Sequence, residues 1–89
     1  MKIKNGFVLR QIASNWVVMP LSNKEVEFKG LIKLNETSVL LWKMLELGSS
    51  KEKLVTVLTN EYDVDENTAR ADVENFLKKL YEVGCIEEQ

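Results

Sequence analysis

The hydrophobic period of this chain changes once, near residue 35, and the change divides it into a strand half and a helix half. Before that point apolar residues come in short alternating runs separated by turn residues, the pattern of half-buried strands. Phe7-Val8-Leu9-Arg10-Gln11-Ile12-Ala13 reads as a first strand and Trp16-Val17-Val18-Met19 as a second, joined through Ser14-Asn15. Pro20 cannot donate to a ladder, so the second strand is expected to end there or to be bulged. Ser22-Asn23-Lys24 is a further turn signal, and a third strand falls within residues 26–34. Val26, Phe28, Ile32 and Leu34 share one face of it by alternation. Gly30 lies on that face too, where a missing side chain suggests a bulge or a close approach of backbone.

After residue 35 the period is helical. Asn35 is a good N-cap, and Val39-Leu40-Leu41-Trp42, Met44, Leu45 and Leu47 cover most of a helix circumference, which predicts a central buried helix closed by Gly48. Ser49-Ser50-Lys51-Glu52 fits a capping box with Ser49 as the cap. Leu54, Val55, Leu58 and Tyr62 form the stripe of this second helix, and Asp63-Val64-Asp65 breaks it. Asp65 caps a third helix, Val64 staples onto Ala69, and Asp65-Glu66 suits the positive helix end. Ala69, Val73, Phe76, Leu77, Leu80 and Val83 repeat with helical spacing up to Gly84. Three antiparallel strands followed by three helices describe an α+β domain resembling a winged helix-turn-helix.

At 89 residues the chain is expected to be a single domain, 1–89, with no room for a second core. It has no histidine and one cysteine, which removes the commonest general base and excludes both an internal disulfide and a cysteine-built metal site. Its few, isolated glycines build no phosphate-cradling loop. Asp63 and Asp65 lack the further ligands of a calcium loop, and Cys85 reads as a small buried apolar residue. The expectation is therefore no catalysis, no cofactor and no metal. No apolar run approaches the roughly 20 residues of a membrane span, and no signal peptide opens the chain, so a cytoplasmic, non-membrane binding module is expected.

A helix-turn-helix shape raises nucleic-acid binding first, and charge argues against it. The third helix opens Asp65-Glu66-Asn67-Thr68-Ala69-Arg70-Ala71-Asp72, with three acids where a recognition helix would meet phosphates. The sequence pI of about 5.2 is also far from a nucleic-acid binder's. The charge that is present is segregated: residues 1–34 carry +4 and residues 35–89 carry −6.

The run Gly30-Leu31-Ile32-Lys33-Leu34-Asn35-Glu36-Thr37, leading into Val39-Leu40-Leu41-Trp42, resembles the strand-to-helix junction of the PqqD-like family (coenzyme PQQ synthesis protein D). Residues 54–65 look like that family's second helix and turn, and residues 72–86 like its third helix and end. No single motif is diagnostic; the order, spacing and length together carry the resemblance, from about residue 7 to residue 86. It implies a freestanding precursor-peptide recognition element of ribosomally made, post-translationally modified peptides. Such a protein is a small chaperone that binds the leader segment of the precursor and presents it to a modifying enzyme, often of the radical S-adenosylmethionine class. The leader is expected to add as a strand along the third strand, in the groove between that strand and the third helix. A winged-helix transcription regulator or a plain assembly adaptor is the alternative.

The residues are compatible with this. An open strand edge recruits an extended peptide through main-chain hydrogen bonds, though Lys29 and Lys33 are also what a merely blunted edge would carry. The candidate peptide-binding stretch is Phe28, Lys29, Gly30, Leu31, Ile32 and Lys33. On the third helix, with Ala69 at zero, Val73 lies at about 40°, Leu77 at about 80°, Arg70 at about 100°, Tyr81 at about 120° and Glu74 at about 140°. The apolar face thus spills toward Leu77 and Tyr81, so Arg70, Val73, Glu74, Leu77 and Tyr81 complete the candidate site. The opposite shoulder, with Asp72 and Lys79, turns polar at once. Both faces of the first hairpin are partly apolar, so the outer one either docks a partner enzyme or a second copy, making a homodimer compatible with the sequence, or is ordinary surface.

Overall fold

The computed structural model describes residues 1–20 and 32–87. Its elements run β1 (Lys2–Ile3), β2 (Phe7–Ile12), β3 (Asn15–Pro20), β4 (Ile32–Leu34), α1 (Glu36–Leu47), α2 (Lys51–Glu61), α3 (Glu66–Val83) and β5 (Ile86–Glu87). The antiparallel sheet β2-β3-β4 followed by three helices is the expected α+β architecture. The earlier part of the expected third strand, including Val26, Phe28, Lys29, Gly30 and Leu31, lies outside the described residues, as does the turn signal at Ser22-Asn23-Lys24.

The hairpin turn sits one residue earlier than the composition suggested. Ile12 pairs with Asn15, so Ala13 and Ser14 form the turn and Asn15 already belongs to β3. Ala13 takes a positive φ of 57°, which a two-residue hairpin demands of its first turn residue and which glycine would meet without strain. The second strand runs to Pro20, which pairs with Phe7 and is the last residue described before Ile32.

One sheet face closes the core. Val18 and Leu34 are buried on it, with Phe7, Leu9, Trp16 and Ile32 packed alongside. Beneath lies α1, which contributes Val39, Leu41, Trp42 and Leu45, with Trp42 wholly enclosed. The Trp42 indole N–H donates to Glu46 Oε2 at 3.0 Å, so the largest core side chain leaves no polar atom unpaired. Burial of α1 is less complete than its sequence suggests: Leu47, at the end next to Gly48, is 88% exposed. Leu54, Val55 and Leu58 of α2 and Ala69, Val73, Phe76, Leu77 and Leu80 of α3 complete the core.

A second, two-stranded sheet was not legible in the sequence. β1 pairs with β5, Lys2 opposite Glu87 and Ile3 opposite Ile86. Lys4 N–H donates to the Cys85 carbonyl at 2.8 Å, and Met1 and Ser49 exchange hydrogen bonds, amine to carbonyl and N–H to carbonyl, both at 2.9 Å. Elements of two residues show no periodicity, so nothing in the pattern distinguishes them from coil.

The caps follow the sequence with one exception. Asn35 accepts from Ser38 N–H, Asp65 accepts from Thr68 N–H, and Gly84 ends α3 in the left-handed region. The α2 cap is Ser50, not Ser49: the Ser50 hydroxyl accepts from Lys53 N–H at 3.2 Å, because Ser49 is held by Met1. Ser50→Ala is therefore expected to lower stability by about 1 kcal/mol and Ser49→Ala by clearly less, compared by thermal unfolding.

Candidate functional site

Strand register determines which backbone groups of β4 face outward. Ile12 and Asn15 flank a two-residue turn and so exchange both main-chain hydrogen bonds. Alternation then directs the backbone of Asn15, Val17 and Met19 to β2 and that of Trp16 and Val18 to β4. Trp16 pairs with Leu34, Val17 with Lys33 and Val18 with Ile32. Ile32 and Leu34 consequently bond to β3, while the N–H and C=O of Lys33 both point to the other side. Among the described residues no strand pairs with β4 there. The same alternation places the Ile32 and Leu34 side chains on the core face and the Lys33 side chain on the outer face.

Beside this edge lies a cleft of about 260 Å³. β4 and Asn35 form one wall, the first turns of α1 (Thr37, Ser38, Leu41) the end, and Asp72, Asn75, Phe76 and Lys79 of α3 the far wall. Leu34, Leu41 and Phe76 supply a nearly buried apolar floor, and the rim is polar with charge of both signs. The depression thus offers an extended chain two kinds of contact, unpaired backbone groups along one side and an apolar trough below.

Of the expected site residues, the structure brings only Ile32 and Lys33 to this cleft; Phe28, Lys29, Gly30 and Leu31 lie outside the described residues. The expected third-helix set lies elsewhere. Val73 has no exposed surface and is a core residue, since its small angular offset from Ala69 keeps it pointing inward. Arg70, Glu74, Leu77 and Tyr81 occupy the shoulder of α3 turned away from β4. The apolar spill of the helix marks where it meets α2 and the N-terminal residue, not where it meets β4. Leu77, Tyr81 and Glu74 line a separate cleft of about 530 Å³ with Met1, Lys51, Lys78 and Glu82. Asp72, Asn75 and Lys79, on the shoulder that turned polar at once, line the β4 cleft and were not among the expected residues. A helical projection gives angles around α3 but not which angle faces a given strand, so no sequence signal could have selected them.

Ion pairs occupy the α2–α3 side. Arg70 donates to both Glu52 carboxylate oxygens, at 2.7 and 2.9 Å, and to Glu66 Oε2 at 3.3 Å. Lys51 Nζ lies 2.6 Å from Glu74 Oε2. The Arg70 hydrogen bond holds the Glu52 carboxyl below its ordinary range, Lys51 does the same for Glu74, and the Thr68 N–H does so for Asp65. Arg70 is in turn held in its charged form, mainly by Glu52. These groups tie two helices together and project no free charge into the β4 cleft. Burial pushes the Cys85 thiol up to about 12, which removes it as a nucleophile. Among the described residues no group of His, Cys, Asp and Glu side chains could hold a metal ion, and no helix is long and apolar enough to cross a membrane.

Residues 15–86 match the family model of PqqD, coenzyme PQQ synthesis protein D. The chain belongs to the PqqD family. Among solved structures, TbiB1 in complex with the TbiA(beta) leader peptide superposes with a TM-score of 0.78 at 27% identity, covering all of this chain and 98% of that one. Lasso peptide synthetase B1 complexed with the leader peptide superposes with a TM-score of 0.76, covering 98% of this chain and 96% of its own; at 22% identity it bears on the fold alone. No curated protein matches the chain. The α+β architecture inferred from the periodicity is thus that of the family.

Two outcomes are expected from this arrangement. Lys33→Pro removes an N–H that points off the sheet and is expected to cost under about 1 kcal/mol, whereas Ile32→Pro breaks the β3–β4 ladder and is expected to cost about 2 kcal/mol or more, read by denaturant unfolding. The lowered carboxyl groups stabilise the fold above the ordinary carboxylate range, and that contribution is lost as pH falls through it and below. The thermal midpoint should therefore drop between about pH 5 and pH 3, and drop less steeply in Arg70→Met, which frees Glu52.

Proposed function

We propose that this protein is a peptide-binding chaperone, not itself a catalyst. It captures the leader segment of a ribosomally made precursor by strand addition to β4 and presents the bound precursor to a modifying enzyme. The observation that carries the proposal is the outward N–H and C=O of Lys33 directly beside the β4–α3 cleft. A peptide laid along β4 satisfies both groups and drops alternate side chains onto Leu34, Leu41 and Phe76, so main-chain bonds give affinity and the trough gives selectivity. Membership of the PqqD family and the likeness to a chain solved with a leader peptide support the same reading.

The partner enzyme acts on the captured precursor, and the family resemblance points to the radical S-adenosylmethionine class. The site of action is the cytoplasm, where precursor and enzyme are made. The acidic start of α3 and the sheet edge favour a peptide over a nucleic acid. The contact set for the leader is Ile32 and Lys33 with Asp72, Asn75, Phe76 and Lys79. The Leu77–Tyr81 shoulder faces away from it.

Calorimetric titration with the leader of a precursor encoded beside this gene tests the proposal. A segment of roughly 10–20 residues is expected to bind with micromolar or tighter affinity, about −8 kcal/mol or better. Binding should fall sharply in Lys33→Pro while the fold persists. Trp16, the register partner of Leu34, is half-buried with Lys43 Nζ 5.6 Å from its ring centre, and its fluorescence should report occupation of β4. Failure of every such leader to bind, or binding untouched by Lys33→Pro, would overturn the reading.

A further inference from the structure

Among the described residues the central sheet carries little charge. Across β2, β3 and β4 the only ionisable side chains are Arg10 and Lys33, and no acid occurs in these strands. Register places them in one row, Arg10 opposite Val17 and Val17 opposite Lys33, on the sheet face away from the helices. Both are exposed, and neither forms an ion pair among the described residues. The other cation lining the cleft, Lys79, lies on the α3 wall together with Asp72.

A strand added to β4 continues this row. The peptide residue directly opposite Lys33 has its side chain on the same face as the Lys33 side chain, whichever way the peptide runs, because cross-strand partners share a face. In the antiparallel case the two residues exchange both main-chain hydrogen bonds, with Cα atoms about 5.5 Å apart. The neighbours on either side of that peptide residue point the other way, onto the apolar floor of the cleft. The outer face therefore sets one peptide side chain beside the Lys33 ammonium, which has no ion-pair partner among the described residues, while its two neighbours meet the apolar floor.

Resting on the strand-addition reading, we propose that Lys33 is a specificity-determining residue that selects an acidic side chain in the captured peptide, between two apolar residues. A carboxylate opposite Lys33 gains a cross-strand ion pair, whereas a basic residue there meets a like charge; Arg10, three strands from the added peptide, is largely screened from it. Lys33 thus fixes the register of the peptide: a slip by one residue would turn the acid into the apolar trough and the apolar pair onto the outer face.

Selection from a phage-displayed library of twelve-residue random peptides tests this, run in parallel on the full chain and on Lys33→Glu and Lys33→Gln, each checked for fold by circular dichroism. Peptides selected by the parent should carry an acid flanked on both sides by apolar residues. Lys33→Glu should keep the apolar flanks and replace the acid by Lys or Arg, and Lys33→Gln should leave the central position unselected. Titration of the best parent peptide and its acid-to-lysine variant should differ by roughly tenfold on the parent, with the order reversed on Lys33→Glu. Selection of alternating apolar residues with the same central composition on all three proteins would overturn the role of Lys33 while leaving strand addition standing. Recovery of no binding peptide by the parent would overturn both.

Discussion

The two-residue turn at Ala13 and Ser14 sets the parity of the whole central sheet. Once Ile12 and Asn15 are bonded to each other, each later backbone group has its direction assigned: Val17 toward β2, Val18 toward β4, Ile32 back toward β3, and Lys33 outward. Shifting the turn by one residue would expose Val18 and Leu34, both now buried, and carry Arg10 and Lys33 inward. The burial of those apolar side chains holds the register, and the register holds the outward edge on which the proposed activity depends. The positive φ of Ala13 is a small local cost accepted for that parity.

The helices were legible in the sequence because their signals are redundant. Asn35, Asp65, Gly48 and Gly84 mark ends that the apolar stripes require independently, and each does so in the structure. The error at the α2 cap arose where two serines stand together: local chemistry suits either, and a contact from the far end of the chain, Met1 to Ser49, decides between them. The β1–β5 sheet has the same origin, since it joins segments more than eighty positions apart and too short to show a pattern. For the candidate site, Ile32 and Lys33 of the expected strand line the β4 cleft, whereas Glu74, Leu77 and Tyr81 of the expected helix set line another. An apolar shoulder on α3 signals that something covers it, and both α2 and β4 were available to do so. The structure gives the apolar shoulder to α2 and Met1, and leaves β4 the polar one, Asp72, Asn75 and Lys79.

Charge along the chain acquires a spatial meaning in this fold. The strand half contributes cations and no acid to the described sheet, and the helix half concentrates carboxylates, several tied up by Arg70 and Lys51. The segregation of charge between the two halves thus gives the described sheet an outer face that is weakly positive at the edge where a peptide would join. Arg70, the cation that the helical projection drew toward the site, is instead spent on Glu52 and Glu66.

Cys85 sits where α3 hands over to β5; its side chain is fully enclosed and its carbonyl receives Lys4. With its thiol pushed up to about 12, an alkylating reagent meets a reactive thiolate only after the terminal sheet has let go. The rate of labelling therefore reports openings that expose this part of the core, local or global. The chain thus carries a native reporter of opening at its terminal sheet, with no residue introduced for the purpose.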